Sequence, residues 1–435
     1  MEPGFTLAQA VAEASRCLLC HDAPCSTGCP ANTAPDVFIR KLRFRNLQGA
    51  ARAIKERNAL GGVCAVVCPT DGLCERRCVA SGIGEPIRIG KLQRFLVEWA
   101  WDTHVRPLRA AKPNGWKVAI VGAGPAGLTC AAQLAKGGVR AVVFDKRPEP
   151  GGMLVFALPE HRLSRAFVRR EIEDIRSLGV EFRCSSPVCG EEDLKRLFEE
   201  GFQAVYLATG TWRSARLGLP SHGSPDVMEA LAWLERIKRE EQGSRARVRD
   251  RTVIVVGGGD TAIDTAVCAK RAGARDVSLV YRRSFLEMPA SRKEILSALD
   301  EGIHLLLLTQ PIEYVVRDGV LEAVRVVRTT LQPADDGDRP RPVPLQGTEH
   351  AIPADVVIEA PGLLPGDDVT KFSEVALDHN QHIIVRDASG ATSRLHVFAG
   401  GDAVRGASIV AKAVGDGQRA ARAILDQLAA EGGRP

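Results

Sequence analysis

The sequence predicts an α/β protein in which a helical, cysteine-rich region precedes two strand–turn–helix–strand regions of the same plan. Eight of the 12 cysteines fall between Cys17 and Cys78, in a stretch without strand-like alternation. A short apolar strand then runs into a glycine-rich turn at Gly122, and the same arrangement returns at Gly257. The 435 residues would accommodate about two or three domains of ordinary size.

The composition is that of a soluble globular protein, with 45% apolar residues, 26% charged residues and a formal net charge of +5. The positive charge forms no long basic stripe, so nucleic acid is not expected as a partner. No apolar run approaches the roughly 18 residues of a membrane span, and the start of the chain lacks the features of a secretory signal. We therefore expect a cytoplasmic protein without membrane contact, and disulfides are rare in that compartment.

The first region extends to about residue 112. Its apolar residues recur mostly every three or four positions in the stretches 36–57 and 86–101, which predicts helices. A polar linker at 112–115 ends the region, so we predict a helical domain over residues 1–112.

The cysteines of this region are spaced Cys17-x2-Cys20-x4-Cys25-x3-Cys29-Pro30, Cys64-x3-Cys68-Pro69 and Cys74-x3-Cys78. Disulfides fit a cytoplasmic chain poorly. Zinc sites favour paired CxxC or Cys/His knuckles, and the region offers one CxxC with a single nearby histidine, His21. Iron–sulfur clusters explain more, because closely spaced cysteines followed by Cys-Pro are typical of ferredoxin-like sites. By count alone, the eight cysteines would serve two four-iron clusters.

The first glycine-rich turn has the pattern GxGxxG, directly after the predicted strand 116–121 and before a helical pattern. In such a turn the first glycine makes the tight bend, the second lets a pyrophosphate approach the backbone, and the third permits close helix packing. The next strand, 141–145, ends in an acid that can bind a ribose hydroxyl. The residues expected at this dinucleotide are Gly122, Gly124, Pro125, Ala126, Gly127 and Asp145.

Two further segments indicate that the first dinucleotide is FAD. Gly152 and Leu154 follow soon after the strand, and near the C-terminus an aliphatic strand runs into Gly401 and Asp402 just before a helix. In flavoproteins an aspartate at that position accepts a hydrogen bond from the ribityl chain, and the next helix points its N-terminus at the isoalloxazine. The competing interpretation is a glycine-rich turn without a ligand.

The second glycine-rich turn has the pattern GxGxxA between the predicted strand 252–256 and a helix, through the residues Gly257, Gly258, Gly259, Asp260 and Thr261. The following strand, 277–281, leads into Arg282 and Arg283 where an NAD site would carry an acid. Arginine there accommodates the 2′-phosphate of NADP, so we predict NADPH, with NADH as the alternative. The arginines could also be a solvated strand end.

These segments predict two Rossmann-like domains, the second inserted in the first. The FAD-binding domain would comprise residues 113–217 and 364–435, and the NAD(P)H-binding domain residues 218–363. The stretch 332–350 is polar and rich in proline, and we predict a loop or hairpin tip there.

The chain resembles the small, NAD(P)H-oxidising subunit of bacterial dihydropyrimidine dehydrogenase over nearly its whole length. The most specific stretches are EASRCLLCHDAPCSTGCP, FRNLQGAARAIKERNALGGVCAVVCPTDGLCERRC and PIRIGKLQRF. It is also similar to the glutamate synthase small subunit and to the N-terminal half of animal dihydropyrimidine dehydrogenase. In that family two [4Fe-4S] clusters interleave, which implies one ligand set of Cys17, Cys20, Cys25 and Cys78, and another of Cys29, Cys68, Cys74 and Gln93. Cys64 would then not be a ligand.

The resemblance implies further cofactor contacts. For FAD these are Arg162, Gly210, Gly401 and Asp402, and for the nicotinamide dinucleotide they are Gly258, Gly259, Asp260, Thr261, Arg282, Arg283 and Gly362. No acid–base side chain is required for hydride transfer, since the cofactors carry the chemistry and the protein supplies positioning and potential.

The modules leave no room for a further catalytic domain, so we expect an FMN-containing partner subunit and a hetero-oligomer that reduces uracil or thymine. The segment VYRRSFLEMPASRKE instead resembles the glutamate synthase subunit, so that partner is the first alternative. A stand-alone diaphorase serving ferredoxin and a non-enzymatic zinc-binding scaffold are the others.

Overall fold

The computed structural model describes residues 4–220, 223–241, 243–334 and 339–432. Within these residues, no helix combines the length and the apolar character required to cross a membrane. The predicted fold class is confirmed: a region of helices and cysteine-bearing loops precedes two parallel α/β sheets, and the second sheet lies between two parts of the first along the chain.

The regular elements of the cysteine-rich region are all helices, joined by loops that hold most of the cysteines. Its α-helices are α1 (Leu7–Ser15), α2 (Pro24–Thr27), α3 (Pro35–Arg43), α4 (Leu47–Arg57), α5 (Gly61–Val67) and α6 (Ile89–Asp102), with 3-10 turns at Thr70–Gly72 and Val79–Gly82. The apolar faces of α1, α3, α4 and α6 form one core, centred on the fully buried Phe38, Leu42 and Leu92.

The prediction of one helix over 36–57 is wrong, because the stretch forms α3 and α4 with a break at 44–46. Arg45 adopts a positive φ of 57°, which an α-helix does not permit. The Asn46 side chain then accepts a hydrogen bond from Gly49 N–H (2.8 Å) and so begins the next helix.

The elements that follow can be given in chain order. The first α/β region contains β1 (Lys117–Val121), α7 (Pro125–Lys136), β2 (Arg140–Phe144), α8 (Met153–Phe156), α9 (Arg165–Arg176), β3 (Glu181–Arg183), α10 (Glu191–Glu199) and β4 (Ala204–Leu207). The second contains β5 (Arg213–Ser214), β6 (Val227–Glu229), α11 (Ala230–Lys238), β7 (Thr252–Val256), α12 (Asp260–Arg271), β8 (Asp276–Tyr281), α13 (Arg292–Asp300), β9 (His304–Leu307), β10 (Thr309–Arg317), β11 (Val320–Gln332), β12 (Arg341–Pro344), β13 (His350–Pro353), β14 (Val356–Glu359) and β15 (Leu363–Leu364). The chain returns to the first region with β16 (Val397–Ala399), α14 (Asp402–Arg405) and α15 (Val410–Gly432).

Both large sheets are parallel and five-stranded. The first has the order β16-β4-β1-β2-β3, and the second has the order β6-β14-β7-β8-β9. The central strands are buried on both faces, as parallel sheets require. In each sheet the glycine-rich turn follows a central strand, β1 or β7, at the carboxyl edge where ligands of such folds bind.

The stretch 332–350 was predicted as a loop or hairpin tip, and part of that prediction is wrong. Residues Arg341–Pro344 form β12, which pairs antiparallel with the end of β11 from Gln332 to Thr329. Its two prolines are tolerated because β12 is an edge strand. Residues 335–338 of the predicted loop lie outside the described part of the chain.

The described residues divide into two compact units. One comprises those of Met1–Val155, Glu160–Thr211 and Leu364–Pro435, and the other comprises those of Phe156–Pro159 and Trp212–Leu363. The cysteine-rich region and the first α/β region therefore form one unit. The domain boundaries at residues 112, 217 and 363 stay predictions.

Candidate functional site

In the first glycine-rich turn, two glycines are tightly packed against the backbone and one has open space beside it. A Cβ atom on Gly122 would lie 2.3 Å from the carbonyl oxygen of Ala208, and one on Gly127 would lie 1.9 Å from the Gly122 carbonyl oxygen. A Cβ on Gly124 would meet no atom within 4 Å. The first and third glycines are thus needed for packing, whereas the second leaves room for a ligand, as the GxGxxG pattern predicts.

Helix α7 begins directly behind that opening. Gly124 is its N-cap residue, no side chain caps the helix, and Pro125 occupies its first turn. The first amides of a helix need acceptors, and a phosphate group can supply them. A described residue near this turn also carries an unsatisfied group, because the buried hydroxyl of Thr209 has no hydrogen-bond partner. The turn therefore fits a pyrophosphate.

Three separate segments of the flavin prediction meet at this turn. A Cβ on Gly152 would lie 2.8 Å from Gly124 Cα, and one on Gly401 would lie 3.0 Å from Ala126 Cβ. Both glycines have positive φ angles, 55° and 70°, which glycine adopts without strain. The remaining candidates are placed as follows: Leu154 is buried, Arg162 is half-buried on the segment before α9, and Gly210 has a φ of 72° just after β4.

Asp145 has a role in the protein that the sequence did not reveal. One carboxylate oxygen accepts the Ala123 N–H (2.7 Å) and the other accepts the Arg147 N–H (2.8 Å). Burial raises the pKa of Asp145, and the two amides oppose that shift. The acid therefore fixes the turn itself, and its contact with a ribose stays a prediction.

Asp402 begins α14, and its carboxylate is bound by the loop between α14 and α15. Ser408 Oγ donates to Asp402 Oδ1 (3.0 Å), and burial raises the pKa of Asp402 to about 6. Sequence reasoning missed Asp416, on α15, whose carboxylate accepts the Gly401 N–H (2.9 Å) and Arg405 Nε (3.0 Å). Asp416 thereby fixes the Gly-Asp turn. Its signal in the sequence is an acid on an otherwise small-residue stretch of the final helix, AVGDG.

In the second glycine-rich turn, too, the first glycine is needed for packing and the glycine that caps the helix leaves room for a ligand, but the glycine between them differs from the first turn. A Cβ on Gly257 would lie 2.3 Å from the Ala360 carbonyl oxygen, whereas one on Gly259 would have only Pro289 nearby, at 3.7 Å. Gly259 caps α12 without a side-chain cap, as Gly124 caps α7. Gly258 was predicted as a cofactor contact, but a Cβ there would collide with the Tyr281 ring at 2.5 Å. Gly258 is therefore also required for packing.

The other residues predicted for the nicotinamide site lie around this turn. Asp260 Oδ1 accepts the Ser291 N–H (3.0 Å), and the Thr261 carbonyl accepts a hydrogen bond from Thr265 Oγ1 (2.6 Å). Gly362 follows β14 with a φ of 151° and has open space where a Cβ would point.

Three arginines converge at the end of β8. Arg282 is exposed, and Arg283 Nε donates to the Pro340 carbonyl (2.8 Å), which brings the start of β12 to this edge. Partial burial lowers the pKa of Arg282, and the nearby charges of Arg283 and Arg339 lower it further. Such a cluster fits an anion of high charge, such as a 2′-phosphate. Arg339 was missed because its stretch was interpreted as a loop.

The cysteine thiols separate into two groups. In the first group, burial raises the pKa of Cys25 to about 11, with Cys78 and Cys17 as neighbouring thiols. Burial also raises the pKa of Cys17, whose neighbours are Cys78 and Cys20. This first cysteine group matches the first predicted ligand set.

The second group gathers around the end of α5. A hydrogen bond with Cys64 and burial raise the pKa of Cys68, and Cys29 and Cys74 are its further neighbours. Burial likewise raises the pKa of Cys74, which has Cys29 nearby and also Cys25 of the first group, so the two groups adjoin each other. Burial disfavours the thiolate forms of Cys68 and Cys74, and a bound metal would stabilise them. The donor set fits iron–sulfur clusters.

Both candidates for the last ligand lie beside α5. Cys64 is buried on this helix, and Gln93, also buried, donates from Nε2 to the Gly61 carbonyl (2.5 Å). The choice of Gln93 over Cys64 stays a prediction. Among the described residues, no three His, Cys, Asp or Glu side chains come close enough to hold one metal ion.

Two family models match the chain. "Dihydropyrimidine dehydrogenase domain II, 4Fe-4S cluster" matches residues 1–105, and "Pyridine nucleotide-disulphide oxidoreductase" matches residues 116–417. The chain belongs to the pyridine nucleotide-disulphide oxidoreductase family. The first model accounts for the cysteine groups, and the second covers both glycine-rich turns.

Curated relatives match over nearly the whole length. The glutamate synthase [NADPH] small chain of Escherichia coli is 36% identical over 98% of this chain and 92% of its own. The NAD-dependent dihydropyrimidine dehydrogenase subunit PreT of Salmonella typhimurium is also 36% identical, over 98% of this chain and 96% of its own. The predicted resemblance to both families is confirmed, and neither is favoured by identity.

Solved structures agree with the fold. Mycobacterium tuberculosis FprA in complex with NADPH is 18% identical, with a TM-score of 0.63 over 74% of this chain and 86% of its own. Together these findings make the chain an NAD(P)H-dependent oxidoreductase with iron–sulfur and flavin cofactors.

Proposed function

We propose that this chain is the NAD(P)H-oxidising subunit of a hetero-oligomer, and that it passes electrons from NADPH through FAD and two [4Fe-4S] clusters to an FMN-containing partner. The partner would reduce uracil or thymine to the dihydropyrimidine. When bound, the flavin would accept a hydride and the clusters would carry single electrons onward. The chain's own residues bind and orient these groups.

The observation that carries the proposal is the placement of the second cysteine group against the first α/β region and α15, which would hold FAD and are called the flavin region below. Gln418, on α15, donates from Nε2 to the carbonyls of Ala31 (2.9 Å) and Arg57 (2.7 Å). A Cβ on Gly415 of the same helix would lie 2.4 Å from the Pro30 carbonyl oxygen, next to Cys29. Helix α15 also packs on α7, since a Cβ on Gly417 would lie 2.3 Å from the Ala126 carbonyl oxygen. One helix thus contacts both the flavin turn and the backbone that directly follows Cys29 of the second cysteine group.

The first cysteine group is suited to face a partner. Large apolar side chains near its cysteines are exposed: Leu18 by 47%, Val79 by 49% and Ile83 by 79%. Exposed apolar side chains beside a redox site favour docking of another protein. We therefore propose that electrons leave the chain at the first cysteine group.

Cluster ligands can be tested on the chain alone. With Gln93 as the last ligand, Gln93→Ala should alter the signal of one cluster in electron paramagnetic resonance (EPR), and Cys64→Ser should leave about eight irons per chain. Loss of iron in Cys64→Ser together with an unchanged signal in Gln93→Ala would assign Cys64 instead.

The glutamate synthase small subunit is the second candidate, and the relative of that name supports it equally in identity. The run of Arg282 and Arg283 also favours it, because the relative's name specifies NADPH whereas PreT is named as NAD-dependent. The first proposal therefore combines NADPH use with dihydropyrimidine formation, whereas the relative named for that reaction is NAD-dependent.

Anaerobic turnover with a partner decides between the candidates. The purified chain is combined with a candidate FMN subunit or with a glutamate synthase large subunit, and NADPH oxidation is followed with uracil or with glutamine and 2-oxoglutarate. The proposal expects uracil-dependent oxidation with the FMN subunit. Turnover only with glutamine and 2-oxoglutarate would replace it by the second candidate.

A further inference from the structure

A buried ion pair joins the flavin region to the cysteine-rich region. Lys55, on α4, and Glu171, on α9, form this pair with side chains that are 1% and 0% exposed. Lys55 Nζ also contacts Asp174 Oδ2 (2.8 Å) and the Ala59 carbonyl (3.2 Å). These three acceptors match the three N–H donors of a lysine, so the charge is fully compensated.

The second oxygen of Glu171 holds the start of α5. Glu171 Oε2 accepts the N–H groups of Gly62 (3.0 Å) and Val63 (3.2 Å). Helix α5 carries Cys64 and ends at Val67, and its C-cap residue Cys68 donates its N–H to the Cys64 carbonyl (3.1 Å). A carboxylate of the flavin region thus binds, through two amides, the helix that leads directly into Cys68 of the second cysteine group.

Neighbouring groups make this contact rigid. Trp101 Nε1 donates to Asp174 Oδ2 (3.0 Å), and the Trp101 ring packs edge-on against Phe167 at 4.9 Å. A Cβ on Gly62 would lie 3.0 Å from Glu171 Oε1 and equally close to Phe167. The carboxylate therefore has little room to move, and neither does the helix.

Burying a lysine and a glutamate is costly, and an apolar pair of similar size often replaces such a pair without loss of stability. Stability alone therefore gives no reason for a carboxylate at this position. Its geometry offers a reason, because both of its oxygens are used, one toward Lys55 and the other toward α5.

We propose that Glu171, oriented by Lys55, is a positioning residue that fixes α5 and the second cysteine group relative to the flavin region. The inference rests on the proposed function and deepens it. Glu171 touches neither cofactor in this account. It fixes the distance between the flavin and the second cysteine group, and thereby the rate at which electrons enter the second cysteine group.

The test compares two double variants that are both uncharged at this pair. Lys55→Met with Glu171→Gln keeps an oxygen that can accept the Gly62 and Val63 amides. Lys55→Met with Glu171→Met removes that acceptor at similar volume. Asp102→Asn is the matched control, because Asp102 makes an exposed ion pair with Arg170 of the same helix α9 at 3.4 Å.

Two readouts separate positioning from general stability. The first is amide hydrogen exchange of the peptide 61–67, which should become faster in the Met/Met variant than in the Met/Gln variant. The second is stopped-flow mixing with NADPH under anaerobic conditions. Flavin bleaching should keep its wild-type rate in both variants, whereas the cluster signal should appear severalfold more slowly in the Met/Met variant, because the rate of electron transfer falls steeply with the distance between the redox groups.

Equal exchange and equal cluster reduction in the two double variants, with wild-type flavin bleaching, would overturn the inference. If the Met/Met variant does not fold, Gly62→Ala replaces it, since the added methyl group must push the carboxylate and α5 apart. It should shift both readouts in the same direction, and unchanged readouts would again overturn the inference. Failure of the proposed function would be distinguishable, because the wild-type chain itself would then show no cluster reduction by NADPH.

Discussion

The two glycine-rich turns use the same backbone and differ at the strand end beside them. In both, the first glycine is pressed against a carbonyl oxygen of the neighbouring strand end, at 2.3 Å from a would-be Cβ of Gly122 or Gly257. In both, the glycine that caps the helix has room for a side chain: a Cβ on Gly124 would meet no atom within 4 Å, and one on Gly259 would meet only Pro289, at 3.7 Å. The next strand, however, leads into Asp145 at the first turn and into Arg282 at the second.

The comparison separates the features that bind any dinucleotide, which are the turn and the helix start, from the strand end, which selects between dinucleotides. The turn and the helix start offer amides to a pyrophosphate whatever the nucleoside. The strand end meets the ribose, and there an acid or a cluster of arginines decides between a free hydroxyl and a phosphate. The following predictions test each part of this division.

The largest effects are expected at the packed glycines. Gly122→Ala and Gly257→Ala each place a methyl group against a backbone carbonyl at a positive φ, 105° or 153°. The strained φ alone costs about 1–3 kcal/mol, and the clash adds to it. Thermal unfolding should show destabilisation in both variants. A wild-type unfolding temperature in either would mean that the corresponding turn is not packed as described.

Substitution of the open glycines should separate binding from folding. Gly124→Val and Gly259→Val point their side chains into the space of the phosphates, so the fold should be kept at a cost of about 1 kcal/mol, because valine is a poorer N-cap residue than glycine. Flavin content should fall only in the first variant. NADPH affinity should fall only in the second, by about tenfold or more, because at least about 1.4 kcal/mol of phosphate hydrogen bonding is lost. Loss of flavin in Gly259→Val would contradict the assignment of the two turns.

The arginine cluster should account for the preference between NADPH and NADH. Arg282→Ala should raise the KM for NADPH about tenfold, the value of one charge-assisted contact, and leave the KM for NADH unchanged. Arg339→Ala should act in the same direction with a smaller effect, because Arg339 adds charge from the side of β12. Arg275→Ala, in an exposed ion pair with Asp355, is the control. Equal effects on both dinucleotides would show that the cluster does not read the 2′-phosphate.

The smallest effect is a pH dependence at the other turn. The pKa of Asp402 is raised from an ordinary 3.8 to about 6 by burial, so the folded apo-protein favours the protonated form. The stability linked to this group is present below about pH 3.8 and is lost as the pH rises through about 6. In the flavin-free protein, wild type should lose thermal stability between pH 4 and 7 relative to Asp402→Asn. Parallel pH profiles would contradict the raised pKa of Asp402.

Sequence patterns predicted the parts of the molecule that depend on local geometry. The strands 252–256 and 277–281 and both turns follow from apolar runs that end in glycine, because few other residues permit that bend. The break of the helix at Arg45 was missed, since the periodicity of apolar residues continues across it. The strand at Arg341–Pro344 was missed because prolines normally mark loops, and only pairing with β11 makes this an edge strand.

The missed site residues are those whose roles depend on distant parts of the chain. Asp416 reaches Gly401 from a helix, and Arg339 reaches Arg282 from a hairpin. Glu171 reaches Gly62 across 109 positions of sequence. No local spacing encodes such contacts. The cysteine groups were predictable because their residue type is rare elsewhere in the chain and their spacing is compact.

Anaerobic titration of the purified chain with NADPH and with NADH, followed by visible absorbance and EPR, tests the central claim most directly. The account predicts that about two NADPH reduce one chain, since the flavin takes two electrons and each of two clusters takes one. It also predicts that NADPH acts at lower concentrations than NADH. Bleaching of the flavin without any cluster signal, or a preference for NADH, would contradict it.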